Sequence, residues 1–146
     1  MFAAGLTTSA GSTTLPLCAL VGGAGARIHI REFWVFNTTA TATSLVFCRL
    51  STAGTPGTAA TTRALDTSEP QTAVGVLRNT YTSTAPTTTE LGMGFPLGAA
   101  IGSGVMPTFA HGEFVIPATA AAAVGILVDT GGTGQAVRVT VKWEET

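Results

Sequence analysis

Residues 135–144, Gln-Ala-Val-Arg-Val-Thr-Val-Lys-Trp-Glu, place Val137, Val139, Val141 and Trp143 on one side of an extended backbone. Arg138, Thr140 and Lys142 fall on the other. Successive side chains of a strand point to opposite faces, so this alternation specifies a strand with one face in a core and one in water. Immediately before it, Val124, Ile126 and Val128 alternate in the same way, and Asp129-Thr130-Gly131-Gly132-Thr133-Gly134 separates the two runs. Glycine-rich spacers of that kind join hairpin strands, so the C-terminal region is expected to be an antiparallel pair.

Working upstream, residues 27–32 (Arg-Ile-His-Ile-Arg-Glu) alternate and then run into Phe33-Trp34-Val35-Phe36, where large apolar side chains occupy both faces. An outward face that turns aromatic needs a second cover, either a neighbouring loop of the same chain or a partner subunit. Phe33, Trp34, Val35 and Phe36, with Phe2 near the N-terminus, are therefore the candidate interface residues. Asn37-Thr38-Thr39-Ala40 reads as a turn into a strand over residues 44–50, and further strands are expected over residues 72–82, 106–109 and 113–116. Residues 86–89 and the glycine-rich stretches 22–25 and 92–104 read as loops. Residues 1–20 read as an N-terminal arm or an edge strand. Seven prolines punctuate the chain too often for long helices, and residues 118–123, the one helix-permissive stretch, follow Pro117 and are expected to form a loop or a single turn. About seven to nine short strands at regular spacing in one 146-residue domain, residues 1–146, predict an all-β, antiparallel, jelly-roll-like β-sandwich.

The surface of such a domain would be unusual. Asp, Glu, Lys and Arg supply 10% of the residues, with a formal net charge of −1. Soluble globular chains average about 25%, and here Thr and Ala together make up roughly a third instead. A skin of Thr, Ser, Ala and Gly has little charge repulsion to keep copies apart and suits a protein whose faces are covered by neighbours. The seven basic residues are scattered, which gives no footprint for nucleic acid. No run approaches the ~18 apolar residues that span a bilayer, and the N-terminal residues lack the basic and apolar regions of a signal peptide. Cys18 and Cys48 each sit among apolar neighbours, as buried reduced thiols do.

Residues able to do chemistry are few. Asp129-Thr130-Gly131 after three apolar residues matches the active-site loop of aspartic proteases, but only a hairpin's length of chain follows it, too little for the flap and later strands those enzymes need. His29 and His111 stand far apart, in no metal-ligand spacing. His29 is expected to point outward beside Arg27 and Arg31, and His111 to occupy a turn. Residues 22–27 lack the ending of a phosphate loop. The expectation is no catalytic residue, no metal and no cofactor.

Phe36-Asn37-Thr38-Thr39-Ala40-Thr41-Ala42, followed by Cys48-Arg49-Leu50-Ser51-Thr52-Ala53-Gly54-Thr55-Pro56-Gly57-Thr58, resembles a pattern of small virion proteins of tailed bacteriophages. Val115-Ile116-Pro117, the Ala/Thr loop, Val124-Gly125-Ile126 and the last strand ending Trp143-Glu144-Glu145 are similar to the same proteins. The resemblance implies a jelly-roll capsid decoration, or cement, protein. It would be made in the host bacterial cytoplasm and located on the virion surface, with copies of itself (dimer or trimer) and the major capsid protein as partners. The alternative it leaves open is a tail or head-fibre module that binds a host receptor or glycan.

Overall fold

A computed structural model describes residues 1–52, 54–68 and 72–146; Ala53 of the phage-like motif and Pro70 lie outside the described residues. Two antiparallel sheets pack face to face. Their strands, in chain order, are β1 (Phe2–Thr7), β2 (Cys18–Val21), β3 (Ile28–Asn37), β4 (Thr43–Leu50), β5 (Arg63–Ala64), β6 (Val76–Asn79), β7 (Thr88–Leu97), β8 (Gly104–Val105), β9 (Val115–Ile116), β10 (Ala123–Val128) and β11 (Val137–Glu145). Sheet A runs β5-β1-β11-β3-β8, with β9 also on β3, and sheet B runs β6-β2-β10-β4-β7.

Set side by side, the two orders show one rule. β5 and β6, β1 and β2, β11 and β10, β3 and β4, and β8 and β7 occupy matching positions in opposite sheets, so each pair of chain neighbours straddles the core. A ribbon of paired strands wrapped in this way is the jelly roll.

That wiring corrects the expectation of a C-terminal hairpin. β10 pairs with β2 and β4, while β11 pairs with β1 and β3. The glycine-rich segment from Asp129 to Gly134 therefore crosses between layers, and so does the Asn37 to Ala40 turn. The first 20 residues form no arm: β1 lies between β11 and the two-residue β5, and β2 lies inside sheet B. The accessible surface is 6718 Å², close to the roughly 6,900 Å² a compact monomer of this mass exposes.

Two further strands depart from expectation. Residues 106–109 are not a strand; the pairing there is a single bridge at Thr108, and the strand precedes it as β8. β7 falls across residues read as loop. It pairs with β4 through a bulge between Val46 and Cys48, where Gly92 takes a φ of +69° open to glycine but rarely to other residues.

The core lies between the sheets. Trp143, Phe33, Val35, Val139, Val141 and Ile30 come from sheet A, and Leu20, Leu45, Phe47, Val124, Ile126 and Val128 from sheet B. Glu145 anchors one end: its carboxylate accepts hydrogen bonds from the Val74 and Gly75 backbone N–H groups and from the Trp143 indole N–H at 2.8–3.0 Å. A Cβ at Gly75 would come within 2.8 Å of the end of the Ile28 side chain and 3.0 Å of the Trp143 indole nitrogen, so a larger residue would have to displace one of these buried groups.

Candidate functional site

Strand pairing decides which of the candidate interface residues can meet a partner. Phe2, Phe33 and Val35 pair across β1, β11 and β3 with Trp143, Val141 and Val139, all core-facing, and are buried. As interface residues they are corrected: the inward half of the aromatic run belongs to the core, where Phe33 meets Phe47 edge-on at 5.0 Å. Trp34 and Phe36 occupy the outer face of sheet A and are half-buried.

Their cover comes from the same chain. The Lys142 ammonium lies 4.5 Å above the Trp34 ring, the Trp34 indole donates to Glu32 at 2.7 Å, and Lys142 and Glu32 pair at 3.0 Å. β8 runs beside Phe36, where no Cβ would fit at Gly104 against the Phe36 ring and the Val35 carbonyl. Arg31 reaches Glu144 at 3.9 Å on the same face.

The two histidines, distant in sequence, meet. His29 does point to the outer face of sheet A, opposite Glu144, but is buried there, because the His111 ring stacks on it with centroids 4.3 Å apart and planes 11° from parallel. Its Nε2 lies 3.1 Å from the Thr146 hydroxyl, and its Nδ1 is buried without a hydrogen-bond partner among the described residues. Burial holds its pKa below the ordinary value, and His111, Arg27 and Arg31 act in the same direction against Glu144. Stacked rings direct their in-plane lone pairs along separate planes, so the pair in this arrangement cannot converge on one metal ion. His111 does lie in a turn, as expected.

Asp129 serves the inter-sheet crossing. Its carboxylate accepts from the Thr130 N–H at 2.7 Å and the Ser44 hydroxyl at 3.3 Å, while its backbone N–H donates to Ser44. Those contacts make it a turn-forming residue. Cys18 and Cys48 are free and buried. Burial raises both thiols, Cys48 to about 12.

The feature that sequence reasoning missed is an open apolar pocket of about 470 Å³ at one edge of the sandwich, between β7 and the segment that follows β8. Phe47 forms its floor, with Met93 and Phe95 on one wall and Val105, Met106 and Phe109 on the other. Among the described residues no charged side chain lines it. An aromatic cluster holds the floor rigid, with Phe95, Phe114 and Phe109 rings 5.2, 5.7 and 6.4 Å from that of Phe47. Met93 and Met106 stand at the rim, 37% and 56% exposed. Alternation within β4 could flag Phe47 as inward, but only the meeting of two sheet edges creates the pocket.

Among the described residues no helix is long and apolar enough to cross a membrane, and no group of three or more His, Cys, Asp or Glu side chains is placed to hold a metal ion. Comparison with protein-family models, curated proteins and solved structures returned no match for this chain.

Proposed function

We propose that this chain is a non-enzymatic structural subunit of a tailed-bacteriophage virion, one that decorates and stabilises the outside of the capsid through self-association and docking on the major capsid protein. The observation that carries the proposal is the surface left in water: poor in charge, with an uncharged apolar pocket open at one edge, Met93 and Met106 exposed at its rim and Ile101 exposed on the loop between β7 and β8. Contiguous apolar surface of that kind marks interaction sites. Many copies, each making modest neutral contacts with a lattice, gain stability through multivalency. The jelly-roll sandwich and the phage-like sequence pattern fit the same assignment.

The test is addition of the purified chain to capsids assembled without it. Saturation at a fixed ratio to the major capsid protein, with a rise in the temperature at which the shell opens, is the expected result. No binding, or copies found only at a vertex or tail, would overturn it.

A second reading rests on Trp34. A half-buried indole beside Glu32 and Lys142 combines an aromatic platform with charged hydrogen-bonding groups, as sugar-binding surfaces do. It makes the chain a module for a host receptor or glycan. Binding of the isolated protein to host cells, lost in Trp34→Ala, would favour this reading over decoration.

A further inference from the structure

The edge of sheet A beside β3 makes an excursion between Phe109 and Phe114. Three backbone bonds tie this segment to β3: the Phe33 N–H to the Pro107 carbonyl at 3.1 Å, the Phe109 N–H to the Arg31 carbonyl at 2.8 Å and the Ile30 N–H to the Phe114 carbonyl at 2.9 Å. The four residues between the last two bonds, Ala110-His111-Gly112-Glu113, loop out as a turn that Glu113 closes. Its N–H donates to the Ala110 carbonyl, and its carboxylate accepts the Ala110 N–H at 2.7 Å. His111 reaches from this turn over His29. The two feet of the turn carry the Phe109 and Phe114 rings, 4.7 Å apart, and Phe109 is one wall of the apolar pocket. One short element thus joins the histidine stack on the outer face to the pocket at the sheet edge.

The stack accommodates a neutral His29 and not a charged one. An imidazolium donates from both ring nitrogens. His29 is 7% exposed, its Nε2 has the Thr146 hydroxyl, and its Nδ1 has no acceptor among the described residues. The groups around the ring favour the neutral form on balance. Arg27 and Arg31 flank it in sequence, His111 and Glu113 belong to the turn, Glu144 stands opposite on β11 and the uncharged Val115 opposite on β9. Glu113 is engaged by Ala110 and Glu144 lies 3.9 Å from Arg31. Burial, His111, Arg27 and Arg31 hold the His29 pKa below its ordinary value against Glu144. Lifting His111 admits water to both nitrogens and removes that penalty.

We infer that the stack is an acid-released latch: protonation of His29 expels the His111 turn, the segment from Pro107 to Phe114 loosens from β3, and the Phe109 wall of the pocket opens. The released form takes up a proton near the ordinary imidazole pKa of about 6.5 and the latched form only at lower pH. Between those values release therefore grows by up to about tenfold per pH unit. The latch follows from the fold and does not depend on the virion reading.

Amide exchange of the full chain between pH 7 and pH 5, corrected for the intrinsic pH dependence of exchange, tests this. Protection of the Phe109 and Ile30 amides should fall at least about fivefold. Leu17, whose N–H donates to the Ile126 carbonyl at 2.8 Å beside β2, should keep its protection. Fluorescence of Nile red, a neutral apolar dye, should rise over the same range as the pocket wall opens. His29→Gln should remove both changes. His111→Ala, at an exposed turn residue, should leave Phe109 and Ile30 weakly protected already at pH 7, with little further fall in acid, and it decides the matter alone if His29→Gln does not fold. Unchanged protection at Phe109 and Ile30 in acid would overturn the latch, since the His111 ring would then swing away from a segment that stays in place. An equal fall at Leu17 would overturn it in favour of global unfolding, and wild-type pH dependence in either variant would remove the stack as its trigger. Loosening without a dye response would overturn the link to the pocket.

Discussion

The outer faces of the two sheets are built to opposite plans. Sheet A turns Arg31, Glu32, Arg63, Arg138, Lys142 and Glu144 to that side, ties two pairs of them together and lays an ammonium over Trp34. The corresponding face of sheet B carries Ala19, Val46, Cys48, Leu50, Ala123 and Leu127, which with Tyr81 form a second buried cluster. Only the flanking strands bring charge there, at Arg78 and Glu90.

The difference lies in what the chain folds over each sheet. The connection from β4 to β5 runs along β6 and the residues after it, with Gly57 donating to Asn79, Ala60 to Leu77 and Thr55 to Thr84. With that edge closed and Tyr81 buried, Ala19 and Cys48 flank Gly125 across three adjacent strands in a buried apolar layer. The scarcity of charge thus has two sources in this fold: one outer face is satisfied internally, and apolar side chains are left exposed at the β7 and β8 edge and at Met1 and Leu65 beside β1 and β5.

The sharpest way to break this comparison is to place the same charge on each face. Leu127→Asp puts a carboxylate into the dry layer of sheet B and is expected to cost about 3–5 kcal/mol. Thr140→Asp, between Arg138 and Lys142 on sheet A, should stay within about 0.5 kcal/mol of wild type. Urea denaturation reads both, and comparable losses at the two sites would show that sheet B is not sealed as described.

A smaller effect is expected from removing the lid. Tyr81→Ala should lower stability by about 2–4 kcal/mol, the range for deleting a buried aromatic ring. It should also distinguish the two thiols. In the wild type neither is expected to react with a disulfide reagent, because both are buried and burial raises both thiols. Without Tyr81, Cys48 in the outer layer should react while Cys18, which belongs to the main core, stays silent. Equal rates for the two would mean global opening, and would dissolve the distinction between the layers.

What the sequence disclosed follows from the same physics. β11 and β3 were legible because each buries one face and alternates in register with it, and β4, which buries both faces, was legible as an apolar run bounded by turn residues. Alternation reports a face, though, and not a sheet, which is why β10 and β11 read as a hairpin when they lie in opposite layers. A signal for the true arrangement was present: all six residues of β10, Ala-Val-Gly-Ile-Leu-Val, are apolar or glycine, as a central strand covered on both sides requires. β7 escaped notice because Gly92, Gly94 and Pro96 interrupt its pattern, a tolerance that an exposed edge strand has and an inner one lacks. The pocket, the Glu145 anchor and the His29 stack join segments from distant parts of the chain, and no local period encodes such meetings.

The mildest perturbation, pH, should also separate the faces. On sheet B, Cys48 and Tyr81 are both raised by burial, so neither titrates between pH 8 and pH 5. On sheet A, His29 couples folding to pH in that range. Its folded pKa lies below the ordinary 6.5, set by burial and by His111, Arg27 and Arg31, with Glu144 opposing. A base whose pKa is depressed on folding binds protons more readily when unfolded, so its full contribution to stability is present above about pH 6.5 and is lost as pH falls through the folded value. Stability is therefore expected to decline on going from pH 7 to pH 5, and His111→Ala, which removes both the stacked ring and its repulsion, should flatten that decline. Amide exchange should show the opening first where His29 and Thr146 meet, at the paired ends of β3 and β11, with β2 and β10 unchanged. Acid-induced exchange that begins in β10 instead would place the titrating weakness on the face this structure shows as sealed.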